Sequence, residues 1–411
     1  MKEQDNGRTE ELSSATWQFI VSHREDDVRT LALQARKYPQ VDMAEAVTQI
    51  AGWQIAVRKI PSWAATEGIL YSRHLSMEQC SSEITALYKA SLVGGESFTD
   101  LTAGLGVDCS FLARRFRRAD YVERQETLCR LAAHNFPLLG LDHIRVHHAD
   151  ALEYLREMEP VDCLFLDPAR RDSHGGKTVA ITECEPDVCA LESLLVEKGR
   201  KVMVKLSPML DMASALRDLK YIRELHVIAV NNECKELTAV LYQMNSVNES
   251  SEKEVVISCE QAVHNSLSEP FTYTLSEEKN AVCQLADRVE TYLYEPGAAL
   301  LKAGPYRLLS QRYGVKKLHP NSHLYTSSVQ VDFPGRCFQV TGISGFGKKE
   351  VKELLSGLEK ANLTVRNFPA SVADLRKKLK LKEGGDVYLF ATTLQNGEKV
   401  LIKCLKPALL S

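Results

Sequence analysis

Seven apolar runs between residues 97 and 243 constrain this 411-residue chain more than any other feature. They read SFTDL (97–101), DYVER (120–124), IRVHHA (144–149), DCLFLD (162–167), KVMVKL (201–206), ELHVIAV (224–230) and LTAVLYQ (237–243). Helical segments separate the first six, which is the spacing of parallel strands joined by helices. Only NNECKE separates the last two. A parallel crossover needs about a dozen residues or more, so this pair is expected to form an antiparallel hairpin. The expected fold class is α/β: a mostly parallel sheet with helices on both faces and an antiparallel end.

The flanks read differently. Residues 1–95 are expected to be helical, with apolar residues at 3–4 spacing in TWQFIVSHREDDVRTLALQARKY and MAEAVTQIAGWQIAVRKI. A third helix, MEQCSSEITALYKASLV, ends at Gly94-Gly95. MNSVNESSEKE (244–254) is polar, like a linker. From 255 to about 330 the pattern is weak, with VVISC and FTYTL as strands and YLYEPGAALLKAG as strand, turn and helix. Residues 335–411 read as strand RCFQV, helix KKEVKELLSGLEKANL, strand TVRNF, helix SVADLRKKLKL and a hairpin turning at Asn396-Gly397. That order suits a small α+β domain. The expected divisions are 1–95, 96–244, 245–330 and 331–411.

Composition removes several classes. With 44% hydrophobic and 26% charged residues the chain is globular. No apolar run approaches the ~18–20 residues of a membrane helix, and the polar start MKEQDNGRTEELSS shows no secretory signal. Eleven cysteines, an odd number without any CxxC, read as reduced thiols in a cytoplasmic protein. No metal is expected: His319 and His323 flank Pro320 and Asn321, which favour a loop over a helical ligand pair. The net charge of −3 hides an asymmetry, because residues 301–411 hold 19 Lys/Arg against 8 Asp/Glu. This points to an anionic partner, although Arg376, Lys377, Lys378, Lys380 and Lys382 also suit a solvated helix face.

The chemistry sits at the strand ends. Asp100-Leu-Thr-Ala-Gly104-Leu-Gly106-Val-Asp108 follows the first strand and opens a helix. Thr102 stands where a full GxGxxG would have its first glycine, and Asp100 ends the strand. A pyrophosphate loop presents backbone N–H groups to an anion, so a carboxylate there is out of place. S-adenosylmethionine has no phosphate. Its sulfonium and ammonium groups are cationic, and a carboxylate beside a glycine turn favours them. Glu123 ends the second strand, 17 residues past Gly106, where an acid takes ribose hydroxyls. Asp150 ends the third, where an acceptor meets an adenine amino group. Each of these two acids alone reads equally well as an ordinary helix cap. Together with Asp100, Thr102, Gly104 and Gly106 they point to a nucleoside cofactor, S-adenosylmethionine.

The fourth strand ends at Asp167-Pro168-Ala169-Arg170-Arg171. Proline makes this turn rigid. The turn can aim the Asp167 carboxylate and Pro168 carbonyl at one amino group, with Arg170 and Arg171 for a substrate phosphate. Lys205 and Ser207, at the end of the fifth strand, are further substrate-binding candidates.

These residues resemble class I S-adenosylmethionine-dependent methyltransferases. DLTAGLGVD is similar to the cofactor loop of the RNA guanine-N2 methyltransferases, which also lacks the first glycine. DPARR stands where amino-methylating members carry an Asp/Asn-Pro-Pro-aromatic tetrapeptide, but no aromatic follows here to stack on a flipped base. DPAR also resembles the Asp-Pro-Pro-Arg of RNA uracil-C5 methyltransferases, whose fifth-strand cysteine is replaced here by Ser207 in VKLSP. The segment YSRHLSMEQCSSEITALYK resembles the one that packs over the cofactor. The whole chain resembles a bacterial family with a helical N-terminus, a Rossmann-like seven-stranded core, and C-terminal ferredoxin-like (245–330) and THUMP-like (331–411) domains. The resemblance implies methyl transfer to a base nitrogen of RNA, either rRNA or tRNA. Asp100, Thr102, Gly104, Gly106, Glu123 and Asp150 would bind cofactor, and Asp167 and Pro168 would act in catalysis. Arg170, Arg171, Lys205 and Ser207 would bind substrate. The rival readings are a methyltransferase for DNA, protein or a small molecule, and a non-enzymatic RNA-binding factor with a relic cofactor fold.

Overall fold

Each of the seven apolar runs forms a strand: β1 Gly95–Asp100, β2 Phe116–Glu123, β3 Ile144–His148, β4 Val161–Leu166, β5 Gly199–Leu206, β6 Ile222–Val230 and β7 Glu233–Leu241. The computed structural model describes residues 12–72, 74–170, 181–242, 254–263 and 266–407. Contacts divide the chain into two units, Met1–Glu224 with Glu236–Lys253, and Leu225–Lys235 with Glu254–Ser411.

The strand order is β3-β2-β1-β4-β5-β7-β6. β1 pairs in parallel with both β2 and β4, β2 with β3, and β4 with β5. β7 runs antiparallel to β5, which gives the sheet its antiparallel end. Chain order reverses between β1 and β4. Open α/β sheets bind ligands at such a switch point, beyond the carboxyl ends of the strands. The α/β fold with an antiparallel end is therefore as expected. β4 buries Cys163, Leu164, Phe165 and Leu166 completely or nearly so, because helices cover both sheet faces.

Helices α1 Ser14–His23, α2 Val28–Leu33, α3 Met43–Lys59, α4 Pro61–Ala65, α5 His74–Gln79 and α6 Glu83–Ser91 precede the sheet. The run 16–38 is broken where a continuous apolar pattern was read. Asp27 accepts from Thr30 N and so starts a new helix. Ser82 likewise starts α6 and splits the third predicted helix. Phe19, Ile20, Leu31, Met43, Ala46 and Ile50 make a small core for α1–α3. Further along α3, Ile55 and Ala56 join the main sheet core with Trp63, Phe98 and Phe136.

Four helices cross between strands: α7 Val107–Leu112, α8 Glu126–Leu138, α9 Ala151–Glu157 and α10 Val188–Lys198. α11 Met212–Asp218 follows β5. The extended segment before α5 is tied to this frame by two amide side chains. Gln49 Nε2 donates to Tyr71 O and Gln49 Oε1 accepts from Tyr71 N, at 2.9 and 2.8 Å. Asn135 does the same for Leu70, at 2.8 and 2.9 Å.

In the second unit the strand Tyr292–Pro296 lies between Tyr325–Ser327 and Gly335–Ser344. The sheet continues through Lys399–Leu405 and Tyr388–Thr393 to Asn362–Val365, whose pairing with its neighbour is parallel. The helix read over KKEVKELLSGLEKANL covers only Lys348–Leu354, and the chain turns at Gly357 with φ of 73°. Helix Val372–Leu379 follows the expected place. Among the described residues no helix is long and apolar enough to cross a membrane.

Candidate functional site

The site grows from the carboxyl ends of β1, β2 and β4. Beyond β1 the backbone is held on both sides: Leu101 N donates to Phe165 O at 3.0 Å, and Ala103 N to Val122 O at 3.0 Å. Gly104 and Gly106 have φ of 53° and 81°, a region that side chains avoid. At Gly106 a Cβ would also lie 3.0 Å from the Phe136 ring. Glycine thus lets this loop turn tightly against α8.

Acidic and hydroxyl side chains fix the loop. Asp100 is 1% exposed, and its Oδ1 accepts from Thr102 N at 3.2 Å. Glu123 accepts from Gly104 N at 3.0 Å and from Gln125 N at 2.8 Å, so it clamps the loop to the end of β2. Thr102 Oγ1 accepts from the backbone N–H of Asp167 at 2.7 Å and ties the loop to the end of β4. Pro168 is buried beside it. The structure therefore brings Asp100, Thr102, Gly104, Gly106, Glu123, Asp167 and Pro168 into one bonded cluster.

The remaining candidates lie as follows. Asp150 is exposed and caps α9, accepting from Leu152 N and Glu153 N at 2.9 and 3.2 Å. Lys205 is paired, with Nζ 2.5 Å from Asp167 Oδ2 and 3.4 Å from Asp108 Oδ2. Ser207 shapes the turn after β5, its Oγ accepting from Met209 N at 3.2 Å. The backbone of Ala169–Arg170 pairs with Cys184–Glu185, which returns the chain beside the end of β4. The Arg170 side chain and Arg171 lie outside the described residues. Away from the site, His319 Nδ1 accepts from Asn321 N at 3.0 Å, and the His323 ring stacks on Tyr306.

Sequence reasoning missed a buried ionic network behind the loop. Lys89, fully buried on α6, pairs with Glu236 of β7 and lies 3.1 Å from Asp108 Oδ1. Ser81 Oγ donates to Asp108 Oδ2 at 2.7 Å, and Lys89 Nζ donates to Ser81 Oγ at 3.2 Å. The available signals were a lysine inside the apolar helix ITALYKASLV and the acid closing the glycine motif.

The charges do not balance. Among the described residues, the ion pairs of Asp108, Asp167 and Glu236 in this cluster are with Lys89 and Lys205, and Asp100 lies beside them without an ion pair of its own. Burial would raise the Asp108 carboxyl, but Lys89 and Lys205 outweigh it and hold it at about 2. Burial would lower the Lys205 ammonium, yet Asp167 and Asp108 push it up. For Asp100 the Thr102 N–H and Lys205 give too little support. Burial, then Asp108 and Asp167, drive its carboxyl well above the ordinary range. Its Oδ2 is buried and has no hydrogen-bond partner among the described residues. Native proteins rarely leave a buried polar atom unpaired, and this oxygen has an acceptor position to fill.

Comparison with known proteins gives the setting. A ferredoxin-like domain family matches residues 292–334, and a THUMP domain-like family matches 335–406. The crystal structure of a Porphyromonas gingivalis W83 protein assigned as a methyltransferase is similar at a TM-score of 0.83 and 34% identity. The match covers 95% of this chain and 97% of that one. A Streptococcus mutans protein of the same assignment, solved with S-adenosylhomocysteine, is similar at 13% identity and a TM-score of 0.30, over 39% of this chain and 96% of its own. A likeness that low carries no argument here. No curated protein matches the chain. On the full-length similarity to the Porphyromonas protein, the chain belongs to that protein's family: a class I methyltransferase fold followed by ferredoxin-like and THUMP-like domains.

Proposed function

We propose that this chain transfers a methyl group from S-adenosylmethionine to a base nitrogen of RNA. The observation that carries the reading is the buried Asp100 Oδ2, unpaired among the described residues, within a cluster of four carboxyl groups and two ammonium groups. Such a site favours a cationic ligand and disfavours a phosphate. The cofactor supplies an electrophilic methyl on a sulfonium and also carries an ammonium, so the residues present fit it.

Asp100 would accept from the ammonium. Glu123 gives its two oxygens to backbone N–H groups and keeps lone pairs for ribose hydroxyls. Asp150 would meet the adenine amino group from its place at the start of α9. The positive φ at Gly104 and Gly106 lets the backbone approach closely.

Asp167 and Pro168 would orient the acceptor. Lys205 engages Asp167 Oδ2, which leaves Oδ1 and the Pro168 carbonyl to accept the two N–H protons of an exocyclic amine. The amine lone pair is thereby aimed, and Asp167 Oδ1 can take the proton the amine gives up. Arg170 and Arg171 would hold a neighbouring phosphate. RNA as the substrate is supported by the THUMP domain-like match and by its charge, 14 Lys/Arg against 7 Asp/Glu over residues 335–406.

Asp167→Asn tests the acceptor assignment. Transfer of labelled methyl to RNA is expected to fall by roughly 10²–10³-fold, the size found when one transition-state contact is removed. Cofactor affinity should fall far less than transfer does, because Asp167 acts on the cofactor only through its charge in the cluster. Full transfer by the variant would remove Asp167 from the mechanism.

The state of Asp100 gives a second expectation. Without ligand, burial and the neighbouring acids favour the protonated carboxyl; an ammonium beside it favours the ionised form. Binding should therefore release protons, and affinity should rise with pH until Asp100 is ionised in the free protein. Titration calorimetry in two buffers of different ionisation enthalpy measures this. Proton uptake on binding would contradict it.

A further inference from the structure

The THUMP-like module contains a cavity that the methyl-transfer reading leaves unused. It measures about 270 Å³ and is lined by Phe346, Phe368, Asp374, Leu375, Lys378 and Lys399, among others. Drug-sized ligands occupy pockets of ~300–1,000 Å³, so this one suits a single ring system. Leu375 is buried and forms part of its wall. The Phe346 and Phe368 rings are half-buried, with centroids 4.7 Å apart and planes inclined by 35°. Lys378 Nζ stands 5.9 Å from the Phe346 centroid, and Lys378 and Lys399 are both exposed.

Two features select the occupant. Partly exposed aromatic faces stack on a planar base, and exposed lysines beside them attract a phosphodiester. Asp374 is the acid in the lining. One of its oxygens accepts from Ser371 Oγ at 2.6 Å, and its remaining acceptor capacity suits an exocyclic amino group. Lys377 and Lys380, exposed on and just after the helix Val372–Leu379, extend the positive surface. Arg376 belongs to the fold, since Nη1 donates to Ala361 O at 3.2 Å.

We infer that this cavity holds one unpaired base of single-stranded RNA, stacked on Phe346 or Phe368, with Lys378 and Lys399 on its flanking phosphates. The inference rests on the RNA reading above and adds to it a base-binding site outside the methyltransferase core. It predicts a preference for unpaired over duplex RNA, because a base inside a helix cannot enter a pocket.

The test uses the full chain and a fluorescent oligoadenylate of about ten nucleotides, within the span of single-strand binding sites, beside a duplex of equal phosphate count. Phe346→Leu and Phe368→Leu keep apolar volume and remove the aromatic face. Phe346→Leu, Phe368→Leu or both should weaken single-strand binding by roughly fivefold or more, with duplex binding unchanged and a cooperative unfolding transition retained. Lys378→Gln with Lys399→Gln should weaken binding and flatten its salt dependence by about 0.7 in log–log slope per lost phosphate contact. Parent-like binding by both leucine variants overturns the cavity and leaves the RNA reading standing. Equal loss of single-strand and duplex binding in those variants overturns base stacking. A parent chain that binds neither RNA at low salt overturns both readings together.

Discussion

Asp100→Ala is expected to weaken cofactor binding by roughly 10- to 150-fold while leaving the ligand-free protein at least as stable as the parent. Hydrogen bonds to charged groups contribute about 1.5–3 kcal/mol, which sets the loss of affinity. The stability side follows from burial. Asp100 is almost fully buried, and Oδ2 has no partner among the described residues. Leaving such an atom unsatisfied costs folding about 1–3 kcal/mol. Alanine removes that cost together with the Oδ1 bond from Thr102 N, and the two changes roughly offset. The folded-state carboxyl lies above its unfolded value, so Asp100 binds protons more readily when folded. Its contribution to stability is therefore present at low pH and is lost as pH rises through the folded value. Alanine abolishes that slope. Asp100→Asn keeps the shape and removes only the charge, and should recover little affinity if charge is what matters. Calorimetric titration with S-adenosylhomocysteine, beside urea unfolding of the same proteins, checks both halves. Unchanged affinity would leave the unpaired oxygen without a role.

Lys89→Met should cost about 3–5 kcal/mol, the usual result of removing one partner from a buried ion pair. Lys89 is fully buried and neutralises Asp108 and Glu236 together. Lys205 still reaches Asp108 in the variant, whereas Glu236 loses its pairing with Lys89. The variant can recover only by protonating an acid, so its deficit should shrink as pH falls. In the parent the sign is opposite: Lys89 and Lys205 hold the folded Asp108 carboxyl down at about 2, below the ordinary carboxylate range. Its contribution to stability is present above the unfolded value and is lost as pH falls through the folded one. Adding Glu236→Gln to Lys89→Met should restore part of the loss, since the uncompensated charge is then gone. Urea unfolding across pH measures all three proteins. An equal deficit at every pH would mean packing, and not charge, is what Lys89 supplies.

The strands and their ends were legible because their signals are local. Buried parallel strands show as apolar runs, and NNECKE settles the hairpin by length alone. Asp100, Gly104 and Gly106 stood out because a strand end, an acid and a glycine turn coincide within seven residues. Helix limits were less legible. Asp27 and Ser82 each interrupt an apolar pattern with a cap, and periodicity does not register a cap. Between 255 and 330 the elements are short, such as Tyr325–Ser327 and Leu275–Asn280, so no period develops. The ionic network was invisible for another reason. Lys89 and Glu236 are 147 positions apart, and only the fold brings them together. Lys205 shows the same limit: sequence placed it at a strand end, and the structure supplied its partners, Asp167 and Asp108. Asp150 shows that one acid can suit a cap and a ligand equally well when only its position is known.

The most direct measurement is methyl transfer itself. The full chain would be incubated with methyl-labelled S-adenosylmethionine and RNA from cells lacking this protein, and the RNA then digested to nucleosides. The account predicts label in RNA, recovered as a nucleoside methylated on a base nitrogen, and roughly 10- to 150-fold less of it at limiting cofactor when Asp100→Ala replaces the parent. Label appearing instead in DNA or protein, or on a base carbon or ribose, would contradict it.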